Sequence, residues 1–246
     1  MSAILESAQQ LGVSRMIAVG TSSADWSLYQ GFAQQYRGQV FYSAGLHPCY
    51  VADDYPEELS RLEAFFQASD KPVALGEIGL DNYHLPEDPA AVPAMQAFQQ
   101  EAFKFQLGLA KRYDCPIIIH SRHAFNECVA MIDQSGVDWN KVVFHCFAEG
   151  PEQVRILNER GGRASFTGIL TYKKAEDVRQ AFLAQPLELT MLETDAPYLA
   201  PVPHRGKENQ PGWVSYIAEH AAQLLEMDVA AFKQKVSETS ERFFEL

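Results

Sequence analysis

Short apolar runs alternate with stretches in which apolar residues recur every three or four positions. The first pattern fits buried strands and the second fits amphipathic helices. Residues 1–11 read as a helix with Ile4, Leu5, Ala8 and Leu11 on one face, closed by Gly12. Strands are expected at 16–19, 40–46, 73–76, 116–119, 142–144, 164–166 and 189–192. Helices are expected between them at 24–36, around Leu59 to Phe66, and at 95–113, 123–134, 152–160 and 175–183. Apolar helices fill the chain after Gly212.

Alternation of this kind predicts a parallel sheet with crossover helices. With 246 residues the chain is close to the ~250 typical of a (β/α)8 barrel. One domain over 1–246 is expected, because no linker or low-complexity segment interrupts it. A barrel of this type carries its site at the C-terminal ends of its strands. Those ends carry His47, Glu77, His120, His145 and Asp195. The pattern yields seven strands where a closed barrel has eight, and the chain opens on a helix. The expected missing strand lies before Met1.

Composition leaves this picture standing. The chain is 47% hydrophobic and 21% charged, as in an ordinary globular protein. No apolar run approaches a membrane span, and residues 1–10 lack the features of a signal peptide. Cys49, Cys115, Cys128 and Cys146 form no C-x-x-C pair, so reduced thiols and a cytoplasmic location are expected. A net charge of −12 argues against a surface that coats nucleic acid. It leaves room for a small local basic site.

Chemistry concentrates in residues 189–211. A short apolar run ends in Glu193 and Asp195, and Pro197 follows. A loop stiffened by Pro201, Pro203 and Pro211 then carries His204, Arg205 and Lys207. Carboxylates beside a rigid basic loop suit a metal bound next to phosphate. Glu77, His120, His145 and Asp195 together offer two carboxylates and two imidazoles. That set suits Zn, Mn or Fe and tolerates Mg.

Several motifs carry a resemblance. They are G-L-H-P at 45–48, G-E-I-G-L-D at 76–81, H-S-R at 120–122, H-C-F at 145–147, E-T-D-A-P-Y-L at 193–199 and P-H-R-G-K-E-N-Q-P at 203–211. In this order they resemble the TatD family of metal-dependent deoxyribonucleases over essentially the whole chain. The resemblance implies a TIM barrel of the metal-dependent hydrolase type that hydrolyses phosphodiester bonds in DNA with one or two divalent ions, Mg, Mn or Zn. It implies Glu77 as bridging metal ligand, His120 and His145 as ligands of one ion, and Asp195 as ligand of the other and general base. Glu77 and Asp195 are thus the catalytic pair, and His47, His204 and Arg205 face substrate. A monomer without membrane contact is expected.

The chain departs from the family pattern in lacking the H-x-H pair of the first strand. This agrees with the strand count, and truncation is the favoured explanation. Two other readings remain open. One is a hydrolase of a cyclic amide or small ester, the other a barrel impaired or non-catalytic for want of H-x-H. Asp81 is expected to support a ligand and His84 to be a loop residue. Cys146 is expected to be a small buried hydrophobe. Trp213 and Tyr216 are expected to pack in the C-terminal helix.

Overall fold

Strands and helices alternate as the pattern predicts in the computed structural model, which describes residues 1–246. The strands are β1 (Met16–Ala18), β2 (Val40–Ala44), β3 (Ala74–Asp81), β4 (Ile117–Arg122), β5 (Val142–Phe144), β6 (Arg163–Phe166) and β7 (Met191–Leu192). The helices are α1 (Ser2–Gln10), α2 (Ser23–Gln35), α3 (Tyr55–Gln67), α4 (Val92–Tyr113), α5 (Phe125–Ser135), α6 (Pro151–Arg160), α7 (Glu176–Ala184), α8 (Val214–Leu224) and α9 (Val229–Phe244). The sheet order is β1-β2-β3-β4-β5-β6-β7, the sequential order of a parallel α/β barrel sheet. No helix is long and apolar enough to cross a membrane.

The chain divides into two compact units, Ile17–Val143 and Met1–Met16 with Phe144–Leu246. In the first unit β2 pairs with β3 and β3 with β4, all parallel. Every residue of β3 is buried, so the strand reads as a continuous run rather than an alternating one. The sequence pattern ended this strand at the charge of Glu77, whereas the strand continues to Asp81. The reason is a bulge. Leu75 pairs with Ile117 and Ile78 with Ile119, so three steps on β3 match two on β4. A bulge re-aims side chains locally, and here it falls at Gly76 and Glu77.

Gly79 lies in the left-handed half of φ space at 142°, and a Cβ there would sit 1.9 Å from the carbonyl oxygen of His120. Only glycine allows β3 to approach β4 this closely. The core of this unit includes the fully buried Trp26, Leu62 and Phe103. Trp26 Nε1–H donates to the Gly45 carbonyl at 2.9 Å, which satisfies the indole inside the core. Helix α4 buries two glutamines seven residues apart. Gln106 accepts from Leu46 N–H at 2.7 Å and donates to Leu46 C=O at 3.1 Å. Gln99 does the same for Asp81, at 2.9 and 3.2 Å. Each side chain supplies the donor and acceptor that a strand-end backbone would otherwise lack.

In the second unit β6 pairs parallel with β7 through Ser165↔Met191 and Phe166↔Leu192. The strand expected at 189–192 is reduced to two residues, because Leu187–Leu189 form a 3-10 turn. Glu193 N–H still donates to Phe166 C=O at 3.1 Å and carries the ladder one step further. Phe147, Phe166, Phe182 and Phe232 stack edge to face in series, at centroid distances of 6.0, 5.4 and 6.4 Å. This relay ties β6 to α7 and α9. Asp228 caps α9 by accepting from Ala231 N–H at 2.9 Å. Arg15, which follows α1, pairs with Glu241 of α9.

Candidate metal centre

In the unit Ile17–Val143 the bulge on β3 brings Glu77 against His120 of β4. Glu77 Oε1 lies 2.8 Å from His120 Nδ1, and His47 Nε2 lies 3.1 Å from that nitrogen and 3.2 Å from that oxygen. Glu77 is buried and the two imidazoles are nearly so. These three side chains can each offer one ligand atom to a common cation.

The surrounding hydrogen bonds separate their roles. The other nitrogen of His120, Nε2, lies 3.0 Å from Oδ2 of the fully buried Asp81. Burial opposes ionisation of Asp81. Hydrogen bonds from His120 and His84, and from the N–H groups of His84 and Tyr83, hold its carboxyl far below the usual range all the same. An ionised Asp81 accepts only, so Nε2 of His120 carries the proton and Nδ1 turns its lone pair toward Glu77.

His47 is fixed the opposite way. It precedes a 3-10 turn, and Cys49 N–H donates to its Nδ1 at 3.0 Å. In the neutral ring the proton then sits on Nε2, which donates toward Glu77 and His120. Glu77 and His120 therefore form an anionic and neutral donor pair that fits a divalent cation. His47 fits as a hydrogen-bond donor to that pair or to an anion.

The unit formed by Met1–Met16 and Phe144–Leu246 repeats the device on another histidine. His145 follows β5, and its Nδ1 lies 3.0 Å from Glu193 Oε2. Glu193 Oε1 accepts from Cys146 N–H at 2.7 Å. Burial works against the charge on Glu193, but His145 and the Cys146 amide hold its carboxyl below the usual range. His145 thus carries its proton on Nδ1, and Nε2 is the nitrogen with the lone pair. Cys146 and Asp195 both adopt left-handed backbone, at φ 47° and 56°, an uncommon conformation for such residues.

The proline-rich loop is anchored by Asn209, whose Nδ2 donates to Thr194 C=O at 2.8 Å and Tyr198 C=O at 2.6 Å. A Cβ on Gly168 would come within 2.0 Å of the Leu199 carbonyl, so glycine is required where the loop passes. His204 stacks on Trp213 at 4.1 Å, nearly parallel, with Tyr216 at its edge at 4.8 Å. Trp213 and Tyr216 thus support the loop as well as their own helical segment. Arg205 is exposed and lies over the Tyr172 ring at 4.2 Å.

The sequence pattern grouped Glu193 with Asp195 as strand-end acids suited to metal but did not foresee that it orients His145, and it gave no site role to Cys49 or His84. For Glu193 a signal existed. It follows β7 directly, and its spacing from Asp195 places both acids beyond one strand end. Cys49 gave none, because Asp81 and His84 reach it from the end of β3, and His84 alone in a loop carries no pattern.

Comparison with known proteins identifies the family. The family model for TatD related DNase matches residues 1–245. The chain is 38% identical over 211 residues to the uncharacterized metal-dependent hydrolase YcfH of Escherichia coli K12, covering 85% of this chain and 76% of that protein. It is 31% identical over 243 residues to the uncharacterized metal-dependent hydrolase YabD of Bacillus subtilis, covering 99% and 92%. Among solved structures it resembles the TatD homolog YjjV of Escherichia coli K12, with a TM-score of 0.90, 27% identity and coverage of 100% and 92%. The fold is that of the TIM-barrel hydrolases, and the chain belongs to the TatD-related family of metal-dependent hydrolases.

Proposed function

We propose that the protein hydrolyses phosphodiester bonds in DNA. The observation that carries this reading is the Glu77 and His120 pair, whose ligand atoms are aligned by Asp81 and the β3 bulge. We assign Glu77, His120, His145 and Asp195 as metal ligands, with Asp195 also as the base that takes a proton from water. Bound divalent ions supply positive charge that acidifies water and offsets charge building on the phosphoryl group. Asp81 and Glu193 hold His120 and His145 in the ligating tautomer. His47 Nε2–H donates to anionic oxygen, and Arg205 offers a planar cation for phosphate, with His204 holding its loop against Trp213. The membership of the chain in a family described as DNases supports DNA as substrate.

The test is hydrolysis of end-labelled single- and double-stranded DNA with Mg, Mn or Zn, alongside a panel of cyclic amides. DNA cleavage that falls at least ~100-fold in Glu77→Gln and in Asp195→Asn supports the reading, as expected when a group acting in the transition state is lost. Turnover of amides but not DNA with all three metals overturns it.

A further inference from the structure

A second cluster stands outside the ligand set assigned above. Cys49, Asp81 and His84 meet where the turn after β2 faces the end of β3. Cys49 Sγ lies 3.4 Å from Asp81 Oδ2 and 3.8 Å from His84 Nδ1, and His84 Nδ1 lies 2.8 Å from Asp81 Oδ2. We propose that these three side chains form a second divalent-cation site, selective for zinc, adjoining the hydrolytic metal centre through Asp81.

Geometry is the first argument. Zinc bonds of ~2.0–2.3 Å at tetrahedral angles place neighbouring ligand atoms about 3.3–3.7 Å apart. The 3.4 Å sulfur distance falls inside that spacing and the 3.8 Å one lies about 0.1 Å beyond it. The remaining contact is a hydrogen bond that opens by about half an ångström when metal replaces its proton, and the exposed His84 ring is able to move that far.

Preorganisation is the second argument. Asp81 Oδ1 is occupied by the N–H groups of Tyr83 and His84, each at 2.8 Å, so Oδ2 is aimed at the cluster. Unlike His47, whose Nδ1 accepts from a backbone amide, His84 pairs its Nδ1 with Asp81 Oδ2, and a metal ion replaces the proton of that contact. Ligand chemistry is the third argument. One thiolate, one imidazole and one carboxylate, with a fourth position left to water, select zinc over magnesium or calcium. Cys49 and His84 are both exposed and leave an entry path. Asp81 Oδ2 also accepts from His120 Nε2, so the two sites share one carboxylate oxygen.

The test is titration of the chelator-treated 246-residue protein with Co²⁺, reading the near-ultraviolet thiolate-to-cobalt charge-transfer absorption. Wild type and Cys146→Ser should develop the band, and Zn²⁺ should remove it by competition. Cys49→Ser should lack it, and the exposed His84→Gln should need at least tenfold more Co²⁺ to reach it. This readout does not depend on any hydrolytic activity, so it stands or falls apart from the DNase reading. Absence of the band at saturating Co²⁺ in wild type, or its persistence in Cys49→Ser, overturns the proposal.

Discussion

Asp81 decides which nitrogen of His120 faces Glu77. Its carboxylate is fully buried, carries two backbone hydrogen bonds on Oδ1 and offers Oδ2 to the imidazole. Asp81→Asn should therefore let His120 take either tautomer. Metal affinity at the Glu77 and His120 pair is expected to fall about 10–100-fold, measured by calorimetric titration of Mn²⁺ into chelated protein. His47→Gln tests the opposite assignment. It removes a donor but no ligand, so metal affinity should change less than threefold while KM for DNA rises. Loss of metal from His47→Gln comparable to that of Asp81→Asn would make His47 a ligand. The residue types were readable from sequence because an acid or a histidine directly follows successive apolar runs, although Glu77 and His120 lie within β3 and β4 rather than at their ends. Which ring nitrogen each histidine presents was not readable. That depends on Asp81 reaching His120 across two strands and on a backbone amide two residues after His47.

At the scale of elements, seven short apolar runs predicted seven strands, and 142–144 coincides with β5. The misjudged ends have specific causes. The pattern ends β3 early because a carboxylate inside a buried strand contradicts the apolar run; the bulge and the His47 and His120 rings accommodate it. α5 begins two residues after the expected start, because His123 adopts a left-handed φ of 54°. The approach of β3 to β4 at Gly79 gives a direct test. Gly79→Ala forces a Cβ onto the His120 carbonyl and strains a positive φ. A lower melting temperature and a shift of the His120 ring resonances in NMR are expected together. A lower melting temperature with unmoved His120 resonances would restrict the role of Gly79 to folding. Gln106→Leu leaves the Leu46 N–H and C=O buried without partners, which should cost about 1–3 kcal/mol of stability by urea unfolding.

At the scale of the molecule, the net charge of −12 repels a polyanion at long range, and the exposed Arg205 attracts it locally. Binding of single-stranded DNA should therefore depend weakly on salt. A logarithmic slope of about −0.7 to −1.4 is expected, the value for one or two phosphate contacts. Arg205→Ala should flatten the slope by about 0.7 and raise KM without releasing metal. A steep slope in wild type would mean that a wider basic surface contacts the strand. The paired glutamines of α4 carry a further consequence for how the molecule opens. Strand ends ordinarily fray first and exchange their amide protons quickly with solvent. Leu46 and Asp81 are clamped by Gln106 and Gln99 from the middle of a helix of 22 residues. Their amides should exchange as slowly as those of the β3 interior, so the backbone beside His47 and after Glu77 is among the last to let water in.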